Sequence, residues 1–299
     1  MLAEAIQSLR EQGVDLEIVV VDDGSTDGSA RVAEDLGARV VRHETNRGVA
    51  AAINSGVAAA ASELVMVLAA DDLLQPGAAA ALLRATRESP DAAVFIPDVD
   101  FVDLVTGKRI GTFELREPIL DLHRMLAMDG NPQSAGIVYR RAVLVEYPYR
   151  QVLTEDGAPL LGNEDWQNWI ELARAGIVAV RVPAARGTYR RRLGSVSTDV
   201  ARKWRAGRAL LADRSLRHPD CADCEEAVGR GREALRGYCL GMDAAHLLNG
   251  AGLAYAVGIM RRDPHLVLRA MHLYGWTTRD RLRRRWSDRV LRNRLRGAE

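Results

Sequence analysis

EIVVVDDGSTDGS, residues Glu17 to Ser29, decides the fold: an apolar run ends in two adjacent carboxylates and a Gly/Ser/Thr turn. Ile18 to Val21 are aliphatic and β-branched, the composition of a buried strand. Asp22 and Asp23 then stand at the carboxyl end of that strand. In open α/β sheets ligands bind where strands hand over to loops, so this acid pair is placed to meet a ligand. Asp27 in the same turn has a plainer reading, as the cap of the following helix.

Working outward, strand-like and helix-like segments alternate. Leu2, Ile6 and Leu9 mark a helix over Leu2 to Glu11, and Gly13 separates it from the strand Glu17 to Val21. The helix after Asp27 carries Val32 and Leu36 and stops at Gly37; Ala38 to His43 reads as a short strand. Val49 to Ala61 reads as an alanine-rich helix, Glu63 to Leu68 as a fully buried strand, Gly77 to Glu88 as a helix opened by Pro76, and Val94 to Val99 as a further strand. This alternation predicts an α/β fold with a parallel, twisted sheet and helices on both faces. Beyond residue 100 it loosens. Val99 to Thr112, with Thr106-Gly107-Lys108, predicts a hairpin. Asn131 to Tyr139 predicts a loop entering a strand, Asp165 to Ala175 a helix with Trp166, Trp169, Ile170 and Leu172 near its buried side, and Ile177 to Val182 a strand. From Asp199 onward the pattern is helical, so the expected organisation is an α/β domain over 1–198 and a helical region over 199–299.

Composition agrees with a catalytic domain: 47% hydrophobic residues over 299 positions bury a substantial core. A net charge of +1 gives no drive toward nucleic acid. Cys221, Cys224 and Cys239 are too few and too clustered for a disulfide framework, which points to a reducing cytoplasm. No apolar run approaches the roughly 18 to 20 residues that span a bilayer.

Three further landmarks follow the first: Asn46-Arg47-Gly48 with Asn54, Asp71-Asp72 after an apolar strand, and Glu164-Asp165-Trp166. In this order and spacing they resemble the family 2 glycosyltransferases, GT-A fold enzymes that use nucleotide-diphosphate sugars and a divalent metal. The resemblance runs over residues 1 to 197. It implies that Asp22, Asp23 and Ser25 contact the base and ribose of the donor, since a carboxylate accepts from a ring N–H or a hydroxyl. Asn46, Gly48 and Asn54 match an N-x-G…N pattern, with Ile53 where an arginine is common; the alternative is that they terminate and pack a helix. The family's D-x-D metal signature falls on Ala69-Ala70-Asp71, which leaves Asp71 as the ligand for Mg²⁺ or Mn²⁺ and Asp72 as a neighbouring donor contact. Either acid is also a candidate cap for the helix after Pro76. Asp98-Val99-Asp100 is a literal D-x-D but sits in the expected hairpin region.

Glu164-Asp165 resembles the family's E-D motif, which implies Asp165 as the catalytic base of inverting transfer and Glu164 as its positioning or acceptor-contacting partner. Acids at a helix N-terminus also complement its dipole. Tyr189-Arg190-Arg191-Arg192 with Ser195 and Ser197 is similar to a segment that closes over the diphosphate. Arg192 replaces a histidine there, exchanging a metal-binding imidazole for a bidentate phosphate clamp.

The family's opening strand has no counterpart, because Met1 to Ile6 already read as the helix that follows it. The strands led by Ile18 and Leu64 are then expected to pair directly or to leave a gap, and a truncated start is the reading this suggests. His218, Cys221, Cys224 and Cys239 are candidate zinc ligands by spacing, although Cys239 suits helix packing equally. Arg279 to Arg296 forms a basic amphipathic pattern suited to an anionic membrane face, a solvated helix or a homo-oligomer contact. The expected activity is sugar transfer from a nucleotide-diphosphate donor to a glycan or lipid-linked acceptor, in cell-envelope or exopolysaccharide synthesis, at the inner face of the membrane. Two rivals stand beside it. A degenerate binding module draws on Ala69, Ile53, Arg192 and the missing opening strand, whereas a nucleotidyltransferase lacks here its glycine-rich, basic first loop.

Overall fold

The computed structural model describes residues 1–115, 119–153, 157, 159–160, 162–191 and 199–248. Its contacts divide the chain into two compact units, Met1–Glu233 and Ala234–Glu299. Arg192 and the basic stretch 279–296 lie outside the described residues.

The first unit opens with helix α1 (Leu2–Arg10), whose Ile6 packs with Ala33 and Ala38. Strand β1 (Val19–Asp23), helix α2 (Ser29–Asp35) and strand β2 (Arg39–His43) follow. The N-cap of α2 is Gly28 rather than Asp27, but the Asp27 carboxylate, one position earlier, still accepts from the Ser29 N–H at 2.9 Å. β1 and β2 pair in parallel, Val19 opposite Arg39 through Asp23 opposite His43, as a two-stranded sheet. Helix α3 (Val49–Ala59) packs on β1.

The main sheet is built from β3 (Leu64–Leu68), β4 (Leu73–Leu74), β5 (Val94–Asp103), β6 (Arg109–Phe113), β7 (Ala135–Arg140) and β10 (Ala179–Arg191). Its order is β3-β7-β5-β10-β4, with β6 on β5. Helix α4 (Ala78–Glu88) covers β5 and β10, burying Leu82 against Phe95, Val138 and Val182. The remaining elements of the unit are helices α5 (Leu122–Leu126), α6 (Arg141–Glu146), α7 (Glu164–Arg174) and α8 (Val200–Ala212) and the short pair β8 (Val152–Leu153) and β9 (Pro159–Leu160). Helix α9 (Ala222–Leu248) begins in this unit.

The α/β class with helices around a central sheet stands, but the sheet is mixed rather than parallel. β5 and β10 run parallel, whereas β7 enters antiparallel between β3 and β5, and β4 and β6 are antiparallel to their neighbours. The 106–108 turn does form the expected hairpin. β3 is only half-buried rather than fully buried, because among the described residues it pairs on one side alone. β1 and β3 do not pair with each other among the described residues. β10 runs past its expected end at Val182 because the register shifts between Val182 and Arg186, a bulge that absorbs Pro183.

Candidate functional site

The turn after β1 is folded onto the loop after β2. Gly24 has φ +76°, and a Cβ there would fall 2.7 Å from the Asn46 backbone nitrogen, so only glycine fits the approach. Asp23 fastens that loop. Its Oδ1 accepts from the Arg47 N–H at 2.8 Å and its Oδ2 from the Gly48 N–H at 2.8 Å. His43 Nδ1 lies 2.7 Å from Oδ1, and its Nε2 lies 2.9 Å from Ser55 Oγ on α3. Burial pushes the Asp23 carboxyl up, but His43 and the two amides outweigh it and hold it below the usual carboxylate range.

Asp22 is buried and differently served. Ser25 donates its N–H to Oδ1 at 2.9 Å. The Arg42 guanidinium stands 3.2 Å from Oδ2 as an ion pair but off the hydrogen-bonding direction, and Oδ2 has no hydrogen-bond partner among the described residues. The Ser25 side chain, against burial and with help from its amide and Arg42, keeps this carboxyl lowered as well. The strand end therefore holds a buried, ionised acid whose Oδ2 has no hydrogen-bond partner among the described residues.

A cleft of about 190 Å³ opens beside this loop, lined by Arg47, Gly48, Asn54, Tyr149, Gln151 and Glu164 among others. Asn54 and Tyr149 close one wall by a reciprocal pair: Asn54 Nδ2 donates to the Tyr149 carbonyl at 2.8 Å, and the Tyr149 N–H donates to Asn54 Oδ1 at 3.0 Å. The cleft thus brings the second landmark against the fourth.

Glu164 opens α7 and accepts the Gly162 N–H on Oε1 at 2.8 Å. Asn163 before it holds φ +67°, an uncommon conformation for a non-glycine residue, and its side chain donates to the Lys203 carbonyl at 3.0 Å. Asp165 is half-buried and accepts the Trp166 N–H at 2.8 Å. Its charge reaches the hydrogen-bonded phenols of Tyr139 and Tyr149, 3.0 Å apart: burial raises the pKa of both, and Asp165 raises them further. Trp166 Nε1 donates to the Met125 carbonyl at 2.7 Å, and Trp169 stacks on Tyr139.

Asp71 and Asp72 form a second cluster after β3. Asp72 is 1% exposed; the Arg190 N–H donates to its Oδ1 at 2.9 Å, and its Oδ2 has no partner among the described residues. Burial raises its pKa to about 7. The Arg190 guanidinium donates to the Asp71 carbonyl and to Glu4 on α1. Asp71 keeps a partly exposed carboxylate, and Ala69 is exposed. Asp98 and Asp100 are saturated instead. Arg181 grips Asp98 at 2.7 and 2.8 Å, and Gln75, Thr112 and Arg186 surround Asp100, which removes the literal D-x-D as a ligand pair.

His43, Tyr139 and Tyr149 were not anticipated. A signal existed only for His43, which ends the strand paired in register with Asp23. Ser195 and Ser197, like Arg192, lie outside the described residues. No helix among the described residues is long and apolar enough to cross a membrane.

The model of the family described as "Glycosyl transferase family 2" matches residues 1–146. The succinoglycan biosynthesis protein ExoU of Rhizobium meliloti (strain 1021) is 32% identical over 266 residues, 79% of this chain and 71% of that protein. An uncharacterized glycosyltransferase of Nostoc sp. is 34% identical over 157 residues, 48% of each chain. Among solved structures, S. aureus TarS 1-349 superposes with a TM-score of 0.56 at 17% identity, over 90% of this chain and 74% of that one. The mannosyltransferase PcManGT from Pyrobaculum calidifontis, solved with GDP-Man and Mn2+, gives 0.55 at 17% identity, over 93% of this chain and 79% of that one. These two share the fold, a central sheet flanked by helices of the GT-A type. With the landmarks in place and relatives of this extent, the chain belongs to glycosyl transferase family 2 and is a glycosyltransferase.

Proposed function

We propose that the protein transfers a sugar from a nucleotide-diphosphate donor to an acceptor hydroxyl with inversion, by a single displacement. The observation that carries this reading is the cleft itself, which sets the Arg47–Asn54 segment against Glu164 at the start of α7. Asp22 and Ser25 at the end of β1 form the base-and-ribose side of the donor site, and Ser25 keeps the Asp22 carboxyl ionised. Asp23, Asn46, Gly48 and Asn54 shape the donor side by holding the loop and wall; Asp72 holds the β3 turn against Arg190. Arg192, read from the sequence alone, clamps the diphosphate.

Asp165 takes the proton of the attacking hydroxyl, and Glu164, locked by the Gly162 amide, positions it. Asp71 offers one hard carboxylate oxygen at a partly exposed turn, and Ala69 offers none. Mg²⁺ is commonly held by one or two carboxylates with substrate phosphates and water, so the donor set fits at its lower limit. When bound there, Mg²⁺ or Mn²⁺ would neutralise charge on the departing diphosphate. The name of ExoU, a succinoglycan biosynthesis protein, supports a polysaccharide setting. A cytoplasmic enzyme taking a glycan or lipid-linked acceptor at the inner membrane face, with 279–296 as the contact or as a homo-oligomer surface, extends that reading.

Calorimetric titration of UDP, GDP and dTDP into the full chain, with and without Mn²⁺, tests the donor half. Metal-dependent binding of one nucleotide is expected, and no binding of any would remove it. Asp165→Asn tests the chemistry: turnover drops at least about 100-fold, the lower range for losing general-base catalysis, while nucleotide affinity stays. Unchanged turnover would take the base role away from Asp165.

A further inference from the structure

We propose that His123, Cys221 and Cys224 form a zinc site that fastens the start of α9 to α5, away from the sugar-transfer cleft. The three side chains offer ligand atoms that all lie within 4.8 Å of one another, the one such group found among the described residues. His123 Nε2 is 3.5 Å from Cys221 Sγ. A tetrahedral zinc with Zn–S near 2.3 Å and Zn–N near 2.05 Å requires an S···N edge of about 3.6 Å, so this pair already stands at the ligand spacing. The Cys224 N–H donates to Cys221 Sγ at 3.4 Å, the outer hydrogen bond that orients a thiolate ligand.

The chemistry of the set favours zinc. Two thiolates and an imidazole suit a borderline-soft ion and disfavour Mg²⁺ or Mn²⁺, which keeps the site distinct from Asp71. Cys-x-x-Cys at a helix start is a common zinc half-site, and the third ligand arrives from 98 positions earlier in the chain. Of the ligands expected from spacing, His218 enters only through its backbone, whose carbonyl accepts the Cys221 N–H. Cys239 falls in the second compact unit. His123 and Cys221 are only partly buried, so water reaches the fourth position.

The surroundings say what the ion does. α5 and α9 approach to backbone contact: a Cβ on Gly231 would lie 2.0 Å from the Leu126 carbonyl oxygen. The next carbonyl back in α5, that of Met125, accepts the Trp166 indole N–H. Zinc at His123 thus braces the short helix that holds Trp166, the residue after Asp165.

The test uses the full chain, reduced and stripped with chelator, titrated with Co²⁺ and then Zn²⁺. One equivalent of Co²⁺ should give a thiolate charge-transfer band and the intense visible bands of a tetrahedral site, and Zn²⁺ should bleach both. That spectrum reads the ligands in the unmutated chain, so it does not depend on any variant folding. Cys224→Ser and His123→Gln should each weaken Zn²⁺ by more than about 100-fold, beyond what loss of an outer-shell group costs. Cys239→Ala should leave affinity unchanged. Absence of the charge-transfer band, full affinity in His123→Gln, or loss in Cys239→Ala would each overturn the assignment.

Discussion

Two Asp-Asp pairs stand at the ends of two apolar strands, Asp22–Asp23 as the last residues of β1 and Asp71–Asp72 beyond β3, and their surroundings drive Asp22 and Asp23 one way and Asp72 the other. The first runs into Gly24 and a loop whose amides point back at it. Five donors or cations, Ser25, Arg42, His43, Arg47 and Gly48, serve its four oxygens, and both carboxyls lie below the usual range. The second pair runs directly into Leu73 and Leu74 of β4, which carry Asp72 under α1 and β10. There it finds one amide, and burial raises it to about 7. A carboxylate dipeptide has no fixed electrostatic character; the next residues decide it, by turning the chain toward amides or drawing it into the core.

The largest effect expected from this contrast is a pH dependence carried by Asp72. A folded-state pKa of about 7 against an ordinary 3.8 means that the folded chain holds a proton the unfolded chain releases. The stabilisation is complete below about pH 4, declines as pH rises, and is gone above about pH 7. Roughly three units at 1.36 kcal/mol each amount to about 4 kcal/mol. Urea unfolding in chelated buffer, wild type against Asp72→Asn, isolates this slope, because the other groups titrate in both proteins. Parallel curves would mean that Asp72 finds a partner or water in solution. Asp22 and Asp23 must slope the other way: their lowered pKa values stabilise the fold above about pH 4, and this is lost as pH falls through the folded values.

Next in size is Asp23→Ala, which orphans the Arg47 and Gly48 amides and His43. Three hydrogen bonds at about 1 kcal/mol each set the upper range, and the pair's nearness to solvent brings the expected loss to about 2 kcal/mol. Donor-nucleotide affinity should fall with it, since the 46–48 loop is released. A loss of stability with unchanged affinity would separate the loop from the donor pocket.

How much of this was legible follows from the range of each interaction. Helices α1, α3, α4 and α7 and the 106–108 hairpin rest on local periodicity and turn chemistry, and the sequence carries them. The insertion of β7 between β3 and β5 rests on pairings such as Val65 with Tyr139, which no local pattern encodes. Asp22, Asp23 and Glu164 could be singled out because an acid at a strand or helix end is visible by position. Tyr149 could not be. It acts through a backbone pair with Asn54, 95 residues away, which any residue but proline could make at 149. His123 was equally silent, a lone histidine on a short helix until α9 brings Cys221 beside it.

The smallest prediction discriminates most finely, because it asks whether Asp22 is held by hydrogen bonds or by charge. Arg42 is its cationic partner, but the guanidinium is 61% exposed and off axis, so water and salt screen the attraction. Ser25 contributes its hydroxyl and its amide, and is the leading cause of the lowered pKa. Ser25→Ala removes the hydroxyl alone and should cost about 1 kcal/mol, whereas Arg42→Ala should cost under about 0.5 kcal/mol and shrink further in high salt. NMR titration of the Asp22 carboxyl in the two variants gives the same ordering without reference to stability: the upward shift should be larger without the hydroxyl. The reverse ordering would make Asp22 a charge-held acid. A donor phosphate approaching Arg42 would then compete for the cation that Asp22 needs, and nucleotide binding would raise the Asp22 pKa instead of leaving it low.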